Sequence, residues 1–103
     1  MKTRIILLSF IALSSISAFA QNVPSYVPSN GLVGWWPFNE NANDESGNGN
    51  NGTVNGSTLT TDRFGNINQA YSFLNSSILV NNPIGLPTGN APYTLSCWFN
   101  NFN

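Results

Sequence analysis

Apolar residues alternate with polar ones in two stretches of this chain, and no stretch carries them at helical spacing. In "YTLSCWFN", Tyr93, Leu95, Cys97 and Phe99 fall on one side, and Thr94, Ser96 and Trp98 on the other. In "GLVGWWPFN", Leu32, Gly34, Trp36 and Phe38 share one side, and Val33, Trp35 and Pro37 the other. A period of two marks a strand with two unlike faces. Pro37 has no N–H to give a ladder, so its end of the strand belongs at a sheet margin.

Shorter β-prone pieces lie between these stretches. Thr53-Val54 reads as a very short strand closed by the Asn55-Gly56 turn pair. "STLTTDRFGN" starts β-rich and turns at Phe64-Gly65-Asn66, and two further segments centre on Ala70–Phe73 and Ser77–Val80. "PIGLPTGNAP" reads as loop. The expected class is therefore all-β, with short strands and turn-rich connections, as in an antiparallel sandwich or barrel. A sandwich needs both inner faces covered. The clearest strand ends close to Asn103, with no later strand to flank it. The chain thus reads as the front part of a larger domain, incomplete at its C-terminus.

The N-terminus has a separate purpose. Lys2 and Arg4 precede an apolar run from Ile5 to Ile16, and Ala18-Phe19-Ala20 supplies a small-x-small cleavage pattern. The run falls short of the roughly 20 apolar residues that span a bilayer. Residues 1–20 are therefore read as a secretion signal cleaved after Ala20, which makes the protein extracellular with no membrane anchor. No Cys follows the cleavage point to take a lipid. Residues 21–30, with two prolines and no periodicity, read as an extended leader, and 31–103 as the folded part.

Charge and cysteine usage exclude several functions. Beyond the signal, Arg63 stands alone against Glu40, Asp44, Glu45 and Asp62, a net charge of -3. Such a chain has no basic surface for phosphate backbones, so nucleic acid is not an expected partner. Cys97 is the single cysteine and cannot cross-link its own chain. It lies mid-strand between Leu95 and Phe99, where Cys acts as a small hydrophobe. The sequence has no His to activate it as a nucleophile.

In combination, "GLVGWWPFNENANDESGNGNNGTVNG", "TTDRFGNINQAYSF" and "PYTLSCWF" resemble the opening part of a laminin-G-like, concanavalin A-like jelly-roll domain. The likeness runs from Gly31 to about Phe99, and is nearest to secreted multidomain proteins of Bacteroidetes-type bacteria. It implies a two-sheet antiparallel sandwich that binds carbohydrate or an extracellular protein, often with calcium at its rim. Two departures stand out. Such domains continue after "YSF" with an acidic Asp-Gly segment, where this chain has "LNSSILVNN", and they run on for several more strands. Some relatives of this architecture are glycoside hydrolases, whose acids sit as Glu-x-Asp-x-(x)-Glu on one strand. Glycoside hydrolysis uses two carboxylates across a cleft. No expected strand here carries two, so the resemblance implies a non-catalytic binding module, with a hydrolase fragment or an inert gene fragment as the alternatives.

Two candidate sites emerge. Counting from Asp44, Ser46, Asn48 and Asn50 fall at the third, fifth and seventh positions, with Gly49 at the sixth. This spacing resembles the first half of an EF-hand calcium loop, but the twelfth position is Asn55 rather than a bidentate Glu, and helices are lacking. Any calcium binding would be weak, at about 10⁻⁴ to 10⁻³ M. The competing reading is a series of Asx turns and left-handed positions, for which Asn and Gly are the best residues. The second candidate is aromatic. Adjacent Trp35 and Trp36 must face opposite ways, and the phase of Leu32 and Phe38 sends Trp36 inward. Trp35 and Trp98 are left as ligand-facing indoles, flat rings suited to a sugar. An unfinished sheet also has an open edge, through which two copies could pair.

Overall fold

The computed structural model describes residues 23–101. The expected secretion signal, residues 1–20, lies outside them. No helix among the described residues is long and apolar enough to cross a membrane. The described residues are β-rich, with four strands among them: β1 (Gly52–Asn55), β2 (Thr58–Thr60), β3 (Ala70–Ser72) and β4 (Ser77–Val80). β1 pairs antiparallel with β4, and β2 antiparallel with β3.

The two sheets are two sections of one long hairpin. Its arms run through β1 and β2 and back through β3 and β4, and the ladder is interrupted midway. Between the pairs Asn55↔Ser77 and Thr58↔Ser72, the outgoing arm has two residues and the returning arm four. The surplus is taken up by left-handed backbone, with φ of 79° at Gly56 and 49° at Asn75. Gly and Asn are the residues that adopt this region most cheaply. The buried Ser57 hydroxyl lies 3.2 Å from that of Ser76 across the break, and Ser76 Oγ also accepts the Leu74 N–H. The Asn55-Gly56 pair thus bends one arm. It does not close a β1–β2 turn, because β1 already has β4 as its partner.

Thr, Val, Leu, Tyr and Ile fill these strands, residues that suit a half-buried pleated surface. Leu59 is half-buried between exposed Thr58 and Thr60, and Ile78 and Val80 are half-buried on either side of exposed Leu79. The inward residues Ile78 and Val80 join Trp36, Phe38 and Phe73 around an open apolar groove of about 230 Å³. Phe38 meets Tyr71 edge to face, with ring centroids 5.1 Å apart.

Three expectations are corrected. Leu32–Phe38 enters no sheet. Its carbonyls and N–H groups are claimed by side chains of the Asn/Gly stretch, Pro37 cannot donate, and Phe38 turns to a φ of 59°. The alternation still placed Trp36 and Phe38 together on the groove. Tyr93–Phe99 is also no strand: Tyr93, Leu95, Trp98 and Phe99 are each at least 78% exposed. Alternation registers a demand for burial, and no described strand lies alongside to supply it. Finally, the leader is not simply extended. It makes two turns, Val27 N–H to Pro24 C=O and Leu32 N–H to Ser29 C=O.

Gly52 joins the hairpin to the preceding loop. Its N–H donates to Ala42 C=O, and a Cβ at this position would lie 2.5 Å from Ile78 Cγ2 and 2.9 Å from that carbonyl. Gly52→Ala should therefore destabilise the fold by about 1–3 kcal/mol through overpacking. Urea unfolding would show this as a lowered midpoint, and an unchanged midpoint would mean that β1 does not lie this close to Ala42.

Candidate functional site

The Asn/Gly stretch folds around the Asp44 carboxylate. Oδ1 accepts the backbone N–H groups of Trp35 and Ser46, both at 2.9 Å, and Oδ2 accepts that of Asn50 at 3.0 Å. The Asp44 N–H in turn donates to Asn51 Oδ1. Asp44, Ser46 and Asn50 are all buried, and Ala42 is the only buried apolar residue among those described. The centre of this fold is polar, so its groups need partners.

Asn50 supplies most of the remaining links. Its side-chain oxygen accepts the Ile84 N–H at 2.7 Å, and its amide nitrogen donates to Val33 C=O and Ile84 C=O, both at 2.9 Å. Its own carbonyl accepts Trp36 Nε1–H at 2.8 Å. Asn48 Nδ2 donates to Leu32 C=O, Val33 C=O and Ser46 Oγ. One loop thereby holds residues 32–36 on one side and the segment at Ile84 on the other.

The four residues of the calcium candidate, Asp44, Ser46, Asn48 and Asn50, are brought together. Their oxygens, however, mostly serve the chain: Asp44 holds three backbone N–H groups, Asn50 Oδ1 holds Ile84 N–H, and Ser46 Oγ accepts from Asn48. No group of three or more His, Cys, Asp or Glu residues that could hold a metal ion occurs among the described residues. In this geometry the Asp44 carboxylate gathers the N–H donors of the loop and of Trp35 around itself. Burial alone raises the Asp44 pKa. Hydrogen bonds from the Trp35 N–H, the Ser46 N–H and hydroxyl, and the Asn50 N–H outweigh that effect and hold it below its ordinary 3.8.

The aromatic candidates separate. Trp35 is half-buried, its backbone tied to Asp44 and Glu45, and its indole Nε1 is buried without a hydrogen-bond partner among the described residues. Trp98 is 82% exposed and lies against the hairpin tip. There the Arg63 guanidinium carbon stands 4.0 Å from the Trp98 ring centroid and 4.5 Å from that of Phe64. The tip is ordered by Asp62, whose carboxylate accepts the N–H groups of Phe64 and Asn66 and the Asn66 side-chain amide. The Asn66 side chain foremost, then the backbone N–H groups, hold the Asp62 pKa below its usual value.

Arg63 and Phe64 were not singled out as site residues in the sequence. Arg63 was legible only as the lone cation beyond the expected signal, and Phe64 as a turn residue. The signal that could have found them is a cation next to an aromatic inside an Asp-x-x-Gly-Asn turn. None of the protein-family models, curated proteins or solved structures compared with this chain matches it.

Two outcomes follow from the carboxylates. Asp44→Asn puts an amide where three N–H donors converge and should cost about 2 kcal/mol of stability, with millimolar calcium or without it. Calcium-dependent stabilisation of the parent chain, lost in Asp44→Asn, would instead make the carboxylate a ligand. Both lowered pKa values also set an acid limit. The stability that these groups contribute is complete above the unfolded value of 3.8 and is lost as pH falls through the lower folded values. The urea midpoint should therefore hold from about pH 7 to 5 and drop below about pH 4. A midpoint that rises on acidification would contradict this.

Proposed function

We propose that this chain is a secreted, non-catalytic carbohydrate-binding module, built as the N-terminal part of a laminin-G-like jelly-roll sandwich, with Trp98 as its sugar-contacting face. The observation that carries this reading is an indole 82% exposed and in contact with the Arg63 guanidinium. An exposed indole offers the flat apolar surface with a polar edge that complements a pyranose ring. Fixing that ring beforehand lowers the entropy lost on binding. The sandwich part of the reading is supported by the open groove of Trp36, Phe38, Phe73, Ile78 and Val80, which has the character of an inner layer that lacks its opposing face. Trp35, half-buried beside the Asp44 loop, supports that loop in this reading and does not contact the ligand.

A glycan array probed with the full chain tests the proposal. The expected result is selective retention on a subset of glycans. Trp98→Ala should weaken it by about tenfold or more, as for an aromatic anchor, with the melting temperature unchanged. Retention on no glycan, or undiminished retention of Trp98→Ala, would overturn the proposal.

A further inference from the structure

Arg63 is the only cation among the described residues, in a segment that also carries four carboxylates. None of them pairs with it. Asp44 is turned toward backbone N–H groups, Asp62 toward Phe64 and Asn66, and Glu45 accepts the Asn39 side-chain amide. Glu40 is exposed and forms no ion pair with Arg63. The contacts of Arg63 among the described residues are the two rings, Trp98 and Phe64. Contact through the guanidinium centre leaves its planar fork of N–H donors at the edge, the geometry that matches a carboxylate. Arg63 and Trp98 are both exposed, so the fork and the indole are both open to a ligand.

We propose that the ligand is an anionic sugar of the uronate class, its ring on Trp98 and its carboxylate on the Arg63 guanidinium. This rests on the carbohydrate reading above and adds the charge of the ligand to it. A polyanion is not drawn to this chain by overall charge, because the part beyond the signal is itself negative, with one cation against four acids. Recognition has to come from the local pairing of fork and carboxylate, which is the stronger, charge-assisted kind of hydrogen bond.

The full chain is assayed on immobilised polysaccharides in matched pairs, galactan against polygalacturonate and dextran against dextran sulfate. Polygalacturonate should be bound roughly three- to tenfold more tightly than galactan, as for one charge-assisted pair at an exposed site. Arg63→Gln should bring the two to the same level, Arg63→Lys should keep only part of the difference, and salt at about 0.5 M should also abolish it. Near-ultraviolet circular dichroism verifies that the variants keep the parent fold. Equal binding to galactan and polygalacturonate, or a preference that survives in Arg63→Gln, overturns the anionic-sugar proposal and leaves the carbohydrate reading standing. Preference for dextran sulfate alone overturns the carboxylate assignment in favour of a sulfate ester. Retention on none of the four removes the carbohydrate reading and this proposal with it.

Discussion

Three backbone N–H groups converge on the Asp44 carboxylate, and the rest of the structure is arranged around that convergence. Ser46 and Asn50 belong to the same loop as Asp44, Trp35 to the segment before it, and one side chain fixes all three. Small proteins usually gather their chain around apolar side chains. Here the most buried of the described residues, Ala42 apart, are Asp44, Ser46, Asn50 and Ser57. Buried polar groups stabilise a fold only when each has a partner, and then they also fix one arrangement of the chain. Asn50 meets that condition: its amide oxygen accepts Ile84 N–H, and its amide nitrogen donates to two carbonyls.

The apolar residues are arranged by this loop without being enclosed by it. Asn50 C=O holds the Trp36 indole through Nε1, so Trp36 and Phe38 stand beside Ile78 and Val80 of β4 at the open groove. Gly52 follows directly on the loop and starts β1, close enough to Ala42 and Ile78 that no side chain fits there. The register of the hairpin is thus set at its base by the polar loop. Its tip is ordered by a second carboxylate, Asp62, which turns the chain and presents Arg63 and Phe64 to Trp98.

The short strands were the most legible part of the sequence. Thr53-Val54 and the segments at Ala70–Phe73 and Ser77–Val80 announced themselves by β-branched and aromatic residues between turn signals, and all three are paired in the structure. The two longest alternations misled. At Leu32–Phe38 the backbone groups found side-chain partners from Asp44, Asn48 and Asn50, which no periodicity can foresee, because it is the loop that supplies them. At Tyr93–Phe99 the pattern describes a strand with two faces, but no described strand lies beside it. From spacing, the Asn/Gly stretch reads as either a cation loop or a set of Asx turns. The choice depended on where the Asp44 oxygens point, and spacing alone does not give that direction. The Arg63–Trp98 contact joins residues far apart in the sequence and leaves no local pattern.

Site-resolved amide hydrogen exchange on the full chain tests the central role of Asp44 most directly. The expected result is that the N–H groups of Trp35, Ser46, Asn50 and Ile84 exchange as slowly as those paired within β1–β4, although none of the four lies in a strand. Exchange of those four amides at the free-peptide rate, with the strand amides still protected, would show that the hairpin stands without the Asp44 loop and would contradict the account.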